Sequence, residues 1–231
     1  MQSNFLFPIK RVRSLDWLDG TTSKDSNVFT ALYETDFTLE PGKLTMLTGR
    51  SGSGKSTLVN MLSGLLAPTK GKVLFGEQDL YQLDDEALSR LRNQHFGFVP
   101  QGQSAIMSLN VTENILLPYS LYGDPAEGLA FARELMERMD ITQIADCMPA
   151  ELSGGEMRRM SIARALIRKP EVIFADEPTG DLDDENTETV LQILKDIAKE
   201  GAAVLLVTHE NAARDYADQI IEMSAGRIKS E

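Results

Sequence analysis

The chain has 231 residues, of which 42% are hydrophobic and 25% are charged, so one large domain, or one domain with a sizeable insertion, can bury a full core. This composition excludes a disordered, a collagenous or a disulfide-scaffold protein. The 35 acidic residues outnumber the 23 basic ones and give a formal net charge of −12, which weighs against a nucleic-acid partner because such binding relies on Lys and Arg to neutralise phosphates.

The cysteine content and the lengths of the apolar runs indicate the compartment. Cys147 is the one cysteine of the chain, so it has no intrachain disulfide partner, which suits the reducing cytosol. The run from Ala202 to Val207 is far shorter than the roughly 20 residues that a membrane helix needs. Near the N-terminus, Phe5 to Phe7 is cut off by Pro8 and is too short for a signal peptide. We therefore expect a soluble, intracellular protein.

Short apolar or alternating runs predict four strands before residue 84: Ile9 to Val12, Val28 to Leu39, Leu44 to Leu47 and Val73 to Phe75. The polar segment from Asp19 to Asn27 predicts a loop. After Leu47 a glycine-rich loop precedes apolar residues that recur at helical spacing as far as Leu66. These residues predict a helix that Pro68 ends.

The pattern becomes mainly helical between residues 84 and 169, and strands and helices then alternate again. Three helices are predicted in this region: Ala87 to Arg92, Ala126 to Met139 and Met157 to Arg168. One strand-like run, Phe96 to Val99, lies between the first two. After this region we predict a strand at Val172 to Ala175, a helix at Thr187 to Lys199 and a strand at Ala202 to Val207. A last short helix and strand run to Met223. We predict an α/β core with a parallel sheet (residues 9–83 and 170–229) that is interrupted by a helical insertion (residues 84–169).

Residues Gly49 to Ser56 fit the pattern G-x-x-x-x-G-K-[ST], the phosphate-binding loop. Its glycines allow consecutive N–H groups to point into one cavity at a helix N-terminus, where the helix dipole also favours anions. We expect Lys55 to reach the β- and γ-phosphates and the Ser56 hydroxyl to coordinate Mg²⁺. A flexible Gly/Ser turn is the alternative, but this loop directly follows the Leu44 to Leu47 strand and opens the next helix, as a phosphate site requires.

Two adjacent acids follow a second apolar strand. A phosphate-binding loop needs a metal-holding carboxylate at the end of a neighbouring strand, and Asp176 comes directly after Val172 to Ala175. We expect Asp176 to hold Mg²⁺ through water and Glu177 to polarise a hydrolytic water. An ordinary acidic turn is the alternative when the segment is considered alone.

The segment from Leu152 to Glu156 has two interpretations. Ser153 and Glu156 fit the S-x-x-E capping box of the following helix. Because Gly154 and Gly155 leave the helix N-terminus bare, the same segment would also serve as a second anion site. Spacing alone favours the capping box.

Together these motifs resemble the ATPase subunit of ATP-binding cassette (ABC) transporters over nearly all of residues 9 to 229. Five motifs stand in the order of that family: the Walker A loop Gly49–Ser56, Gln101, the signature Leu152–Glu156, the Walker B segment Val172–Glu177 and the switch histidine His209. An Asp-loop, Gly180–Asp183, follows Walker B. Three further runs resemble the lipoprotein-release and macrolide-export (LolD/MacB-like) branch of the family: Thr112–Ile115, Pro149–Gly155 and Ala175–Asp183.

The resemblance implies a P-loop NTPase core, an N-terminal antiparallel β subdomain and an inserted α-helical subdomain. It implies a homodimer that sandwiches two ATP–Mg²⁺ between the Walker A loop of one protomer and the signature of the other. The implied nucleotide-binding residues are Gly49, Arg50, Ser51, Gly52, Ser53, Gly54, Lys55, Ser56, Thr57, Gln101, Ser153, Gly154, Gly155 and Trp17. The implied metal ligands are Ser56, Gln101 and Asp176, and the implied catalytic residues are Glu177 as general base, His209 at the γ-phosphate, and Lys55.

Some assignments stay open. Trp17 is the nearest candidate for stacking on adenine, but the long loop at Asp19 to Asn27 leaves Phe29 as an alternative, and a buried core tryptophan is a third interpretation. His209 considered alone would be a hydrogen-bonded residue at a strand end, and Gln101 a surface amide. The sequence departs from the family at Met157, where glutamine is common, and at Asp181, where asparagine is typical of the branch. Neither change removes a chemical group that the mechanism needs.

The resemblance implies an ATPase whose ATP-driven closure moves a separate transmembrane permease subunit of export or lipoprotein-release type, at the cytoplasmic face of the inner (plasma) membrane. We expect that permease to dock near Gln101–Tyr122, an apolar stretch in which about half of the residues pack inside and the rest, such as Met107 and Leu109, form a surface. Pro118 is expected to break any long helix there. The alternatives are an ABC ATPase of cell-division type that regulates a membrane protein, and a low-turnover ATP switch, against which Glu177 argues.

Overall fold

The computed structural model describes residues 9–12, 15–17, 29–102, 104–180 and 182–229, with side chains from residue 30 onward. These residues form twelve strands: β1 (Ile9–Val12), β2 (Leu15–Trp17), β3 (Phe29–Leu32), β4 (Thr35–Leu39), β5 (Leu44–Thr48), β6 (Leu74–Phe75), β7 (Gln78–Asp79), β8 (Phe96–Val99), β9 (Val172–Asp176), β10 (Ala203–Val207), β11 (Gln219–Ser224) and β12 (Arg227–Ile228). They also form six α-helices: α1 (Lys55–Leu62), α2 (Asp85–His95), α3 (Val111–Tyr122), α4 (Pro125–Arg138), α5 (Gly154–Leu166) and α6 (Asp184–Lys199).

A six-stranded sheet in the order β12-β11-β5-β10-β9-β8 forms the centre of the fold. Its strands are parallel except for β12 at one edge. A second sheet, in the order β4-β1-β6-β7, and the pair β2-β3 are antiparallel. The predicted α/β fold with a parallel core sheet, an antiparallel β part and additional helices is confirmed. The exact boundaries at residues 84 and 169 stay a prediction, although helices α2 to α5 do lie between β7 and β9 in the chain.

Both faces of the central sheet are covered, as is usual for parallel strands. Ile173 and Ala175 pack in one hydrophobic cluster with residues of α3 to α6. Val172 and Phe174, which alternate with them along β9, pack in a second cluster with residues of α1 and α2. None of the helices in the described ranges has the length and apolar character needed to cross a bilayer.

The register of the parallel strands brings their carboxyl ends to one edge of the sheet. Val207, the last residue of β10, lies beside Leu47 of β5 on one side and beside Asp176 of β9 on the other. The Walker A loop, Glu177 and His209 directly follow these three strands, so they meet at that edge. In open α/β sheets this edge is where ligands bind.

The helix starts are fixed by capping residues that periodicity alone did not reveal. Helices α2, α4, α5 and α6 begin one to three residues earlier than predicted. Their N-cap residues Asp84, Asp124, Ser153 and Asp183 each accept a hydrogen bond from a main-chain N–H of the first turn, which satisfies a donor that the helix itself leaves free.

The prediction that α1 continues to Leu66 is wrong. The helix ends at Leu62, and Gly64 adopts a left-handed conformation with φ of 73°. The main-chain N–H groups of Leu65 and Leu66 both donate to the carbonyl oxygen of Asn60. The glycine therefore turns the chain out of the helix before Pro68 can do so.

The prediction that Pro118 breaks any long helix after Gln101 is also wrong, because Pro118 lies inside α3. A capping box between Asn110 and Glu113 fixes the start of this helix. Ile115 is fully buried, and α3 packs against both α4 and α5. This packing outweighs a cost of about 3 kcal/mol for an interior proline. The carbonyl of Pro118 also accepts a 2.9 Å hydrogen bond from Asn93 Nδ2.

Candidate nucleotide-binding site

A cavity of about 930 Å³ opens at the carboxyl edge of the central sheet. It is lined by every residue from Gly49 to Thr57 and by Ala31, Gln101, Gly102, Arg158, Asp176, Glu177, Gly180, His209 and Glu210. The structure thus brings the Walker A loop, Gln101, the two Walker B acids and His209 around a single space, as the sequence predicted for one protomer.

The glycines of the Walker A loop allow it to fold tightly around the start of α1. Gly54 is the N-cap of α1 with φ of 101°, and no side chain caps the helix there. A Cβ atom at Gly54 would lie 2.6 Å from the carbonyl oxygen of Ala31, and one at Gly49 would lie 2.3 Å from that of Met223. Both positions therefore require glycine. The first residues of α1 line the cavity and no side chain caps the helix, which suits an anionic ligand.

Lys55 brings a positive charge to the same loop. Its Nζ donates hydrogen bonds to the carbonyl oxygens of Gly49 at 2.7 Å and Arg50 at 3.2 Å. The ammonium group is therefore held within the phosphate-binding loop rather than in bulk solvent. Such a placement allows a point charge to meet phosphate oxygens.

Ser56 and Asp176 supply hard oxygen donors. The Asp176 carboxylate accepts a hydrogen bond from the Ser56 side chain. Burial raises the pKa of Asp176 above its ordinary value, and the neighbouring Glu177 raises it further, while Ser56 and Lys55 act in the opposite direction. A cation bound there would offset both raising effects. Hydroxyl and carboxylate oxygens are the ligands that Mg²⁺ prefers, so the two residues fit that ion.

Glu177 and His209 form a pair at the mouth of the cavity. Oε1 of Glu177 lies 3.1 Å from Nδ1 of His209. Oε2 of the same carboxylate is buried and makes no hydrogen bond within the described part of the chain. The main-chain N–H of Glu177 donates to the carbonyl of Val207 at 2.8 Å. This bond fixes the position of Glu177 just after the end of β9.

The signature residues lie outside this cavity. Ser153, Gly154 and Gly155 are absent from the cavity lining. Ser153 forms the predicted capping box, because its Oγ accepts from the N–H of Glu156 and Glu156 Oε2 accepts from the N–H of Ser153 at 2.8 Å. Hydrogen bonds from the Ser153 side chain and main chain lower the pKa of Glu156. A Cβ at Gly155 would lie 2.4 Å from Asn186 Oδ1, so the helix start packs closely on α6.

Sequence reasoning missed Arg158, which lines the cavity and is 7% exposed. Its Nη1 donates to the carbonyl of Pro100, the residue before Gln101, at 2.9 Å. A charged residue between the buried Met157 and Met160 on a predicted helix is the signal that would have found it. Ala31, Gly102 and Glu210 also line the cavity without a sequence motif of their own, as does Gly180 of the Asp-loop, which was not predicted as a site residue.

The adenine-stacking residue stays a prediction. Trp17 and Phe29 are register partners in the antiparallel pair β2-β3, so the two candidates lie next to each other along the backbone. Their side chains fall outside the described residues, as do Asp181 of the Asp-loop and the predicted loop at Asp19 to Asn27.

Comparisons with known proteins agree with this site. The family model described as "ABC transporter" matches residues 32–180. Solved structures with the same fold include the dimeric structure of MJ0796, a bacterial ABC transporter cassette, with a TM-score of 0.86, 30% identity, and coverage of 96% of this chain and 97% of that one. A post-hydrolysis state of the same cassette bound to ADP and Pi has a TM-score of 0.84 at 28% identity over the same shares of the two chains.

Curated relatives point to one branch of the family. The macrolide export ATP-binding/permease protein MacB 2 of Aeromonas hydrophila is 41% identical over 203 residues, which are 87% of this chain and 31% of that protein. The lipoprotein-releasing system ATP-binding protein LolD of Colwellia psychrerythraea is 34% identical over 200 residues, which are 86% of this chain and 78% of that protein. The chain thus spans about a third of the MacB relative. It belongs to the ABC transporter family, as an ATPase cassette related to the MacB export and LolD lipoprotein-release proteins.

Proposed function

We propose that the chain binds ATP with Mg²⁺ in the cavity at the sheet edge and hydrolyses it to power a membrane permease. The observation that carries this proposal is that the Walker A loop, Asp176, Glu177 and His209 line one cavity. Phosphoryl transfer depends mainly on positioning and electrostatic stabilisation, and these residues provide both.

Each residue has a separate task in this proposal. Lys55 and the N–H groups at the start of α1 bind the β- and γ-phosphates. Ser56, Asp176 and Gln101 hold Mg²⁺, which neutralises charge between the phosphates when it is bound. Glu177 and His209, the pair at the mouth of the cavity, have the remaining roles.

Glu177 is the residue that we assign as general base. Its partly buried carboxylate lines the cavity and directly follows Asp176 at the end of β9, so it can accept the proton of an attacking water there. His209 contacts the γ-phosphate in this scheme, and its contact with Glu177 holds the two side chains side by side. The geometry is also compatible with the simpler role of His209 as a hydrogen-bonded residue at a strand end.

We further propose that two copies form the complete site. Ser153 and Gly154 are exposed and lie away from the cavity of their own chain, where they are free to contact nucleotide held by another copy. The solved structure of the related MJ0796 cassette is dimeric. In this arrangement the start of α5, where Ser153 caps the N–H of Glu156 and Gly154 is exposed, provides its remaining N–H groups and a positive dipole end to the γ-phosphate of the partner.

The proposed permease subunit docks near Gln101–Tyr122, which places the chain on the cytoplasmic face of the inner (plasma) membrane. Ile106, Met107 and Leu121 in this stretch are 42%, 55% and 64% exposed. Val111 and Ile115, by contrast, are part of the core. Ile106 and Met107, close to Gln101 in the chain, and Leu121, near the end of α3, are thus the exposed apolar side chains of this stretch, and exposed apolar surface marks interaction sites.

Leu121 also lines a groove of about 540 Å³ that reaches the residues just after α1. It is lined by Ser63, Leu65, Ser89, Arg92, Asn93, Phe96, Phe98, Leu121, Tyr122 and Phe174. Phe98 of β8 lines the groove, and Gln101 follows two residues after β8 ends at Val99, so a segment seated in the groove would be linked through this short stretch of chain to the cavity. We propose that residues 84–169, which contain the helices on one side of the groove, form the inserted helical unit.

The steady-state ATPase rate of the purified chain with Mg²⁺ tests the proposal. Lys55→Ala should lower kcat/KM by about 100-fold or more because it removes a charge that stabilises the transition state. Lys43→Ala is the matched control, since Lys43 forms a surface ion pair with Glu40. This variant should hydrolyse ATP at the parental rate. A parent chain that binds ATP without continuous turnover would instead support the low-turnover switch, and unchanged turnover in Lys55→Ala would contradict the site.

A further inference from the structure

The loop that carries Gln101 is attached to the signature helix at two points. We define the Gln101 loop as residues 100–105, of which residue 103 lies outside the described part. Nη1 of Arg158 donates to the carbonyl of Pro100 at 2.9 Å. Farther along α5, Arg164 donates from Nη1 to the carbonyl of Ser104 at 2.9 Å and from Nη2 to its hydroxyl at 2.6 Å. The hydroxyls of Ser104 and Ser161 also lie 3.1 Å apart.

These contacts form a row on one side of α5. Arg158, Ser161 and Arg164 are spaced three residues apart, so neighbouring members of the row are adjacent on the helix surface. The row is about 9 Å long at a rise of 1.5 Å per residue, and it runs beside the loop from Pro100 to Ser104. Both sides of Gln101 are therefore held by the same helix.

Burial makes this attachment rigid. Arg158 is 7% exposed and Ser161 is 4% exposed. A guanidinium that has lost most of its water must keep its hydrogen bonds, because an unpaired buried charge is costly. The planar fork of arginine also fixes the direction of each bond. The main chain before Gln101 therefore has little freedom to move independently of α5.

The other end of α5 leads to the signature and to α6. Ser153 caps the helix, and Arg159 Nη1 donates to Asn186 Oδ1 at 2.8 Å. Asn186 Nδ2 in turn donates to the carboxylate of Asp183, the N-cap of α6. The helix thus joins the Gln101 loop in the chain's own cavity to the surface that presents the signature.

We infer that Arg158 is a positioning residue for Gln101: it fixes the main chain directly before Gln101 against the signature helix, so that Gln101 and Ser153 move as one unit. This inference rests on the proposed function, in which Gln101 is one of the residues that hold Mg²⁺. Arg158 then acts on ATP hydrolysis through Gln101. Phosphate binding by the Walker A loop does not depend on Arg158.

A kinetic split tests this role. Arg158→Met should lower kcat about tenfold through misplacement of Gln101 and leave KM for ATP and the affinity for ADP within about twofold. Arg158→Lys keeps a charge and a donor, so it should fold and recover part of the lost rate, and it replaces Arg158→Met if that variant does not fold. Arg168→Met is the matched control, because Arg168 follows the same helix and donates to the carbonyl of Tyr122, away from the Gln101 loop. Its kcat should equal that of the parent.

A double-mutant cycle with Gln101→Ala decides whether Arg158 acts through Gln101. The double variant Arg158→Met/Gln101→Ala should be no slower than Gln101→Ala alone, because the second change removes the group that the first one misplaces. Multiplicative losses would overturn the inference and leave the ATPase assignment intact. An unchanged kcat in Gln101→Ala would overturn the proposed role of Gln101 together with the inference, and a parent chain without ATPase activity would overturn the proposed function itself.

Discussion

Nδ1 of His209 lies 3.1 Å from Oε1 of Glu177, and the two side chains differ sharply in exposure: 76% for His209 and 14% for Glu177. Glu177 has a positive φ of 45°, which non-glycine residues seldom adopt and which often marks a functional position. A second pair of the same kind lies before β9, where Nδ1 of His95 is 2.9 Å from Oε1 of Glu171. One strand is thus flanked by two Glu–His pairs, of which one faces the nucleotide cavity.

Glu177→Gln should bind ATP but not hydrolyse it, because the amide keeps the size of the side chain and cannot accept a proton. We expect kcat to fall by about 100-fold or more and ATP–Mg²⁺ to trap a closed dimer. Size-exclusion chromatography with ATP–Mg²⁺ should show the variant as a dimer under conditions in which the parent elutes mainly as a monomer.

Glu171→Gln is the matched control, since it makes the same change beside the same strand in a pair with a histidine. It should hydrolyse ATP at the parental rate and show no ATP-dependent shift in elution. Hydrolysis by Glu177→Gln at the parental rate would mean that another group is the base.

The exposed apolar surface should be required for binding the permease but not for ATP hydrolysis. Leu121→Glu or Met107→Glu places a charge on that surface, so each variant should fold, keep ATPase activity within about twofold and lose co-purification with the membrane partner. Leu129→Glu, at an exposed leucine of α4, is the control and should retain the partner. Leu109 is half-buried, so its substitution would confuse loss of docking with loss of stability.

Undiminished recovery of the permease with both Leu121→Glu and Met107→Glu would place the docking surface elsewhere. Loss of folding in both variants would show that these side chains are part of the core.

Asp218 should make the stability of the central sheet depend on pH. Its carboxylate accepts hydrogen bonds from Lys195 Nζ at 2.6 Å and from the N–H of Leu44 at 2.8 Å, and the contact with Lys195 is the main reason why its pKa lies below the ordinary value of 3.8. A lowered folded-state pKa contributes stability above pH 3.8 that is lost as the pH falls towards the folded-state value.

Asp218→Asn should therefore lower the free energy of unfolding at pH 7 by about 1 kcal/mol, a value that allows for solvent screening of an exposed group. The difference from the parent should shrink as urea-unfolding curves are measured at pH values falling below 4. Asp215→Asn, which removes the same charge three residues earlier in the chain, serves as the control. A difference that stays constant down to the lowest pH at which the parent folds would contradict the assignment.

The fold class and the family could be predicted from sequence because they depend on patterns that are local. Strands such as β9 and β10 are continuous apolar runs, and both were predicted to within one residue of their bounds. The Walker A spacing is specific enough to fix a strand-loop-helix unit. The gathering of Gln101, Asp176 and His209 around that loop follows from a parallel sheet whose strands end at one edge.

Contacts between distant segments could not be predicted in the same way. Helix α3 continues through Pro118 because it packs on two other helices, and no local rule includes that stabilisation. The hydrogen bond between Arg158 and Pro100 joins residues 58 positions apart. The catalytic roles of the site residues stay predictions that the variants above can test.

Mixing two inactive variants tests the central claim of a site shared between two copies most directly. Lys55→Ala loses the Walker A charge, and Ser153→Arg loses the signature cap and places a bulky cation at the proposed dimer interface, so each chain keeps the motif that the other lacks. Random mixing should restore about a quarter of the parental ATPase rate, because half of the dimers are mixed and each of these has one intact site of two. Mixtures in which mixed dimers form and ATPase activity stays at the level of the single variants would contradict the shared site.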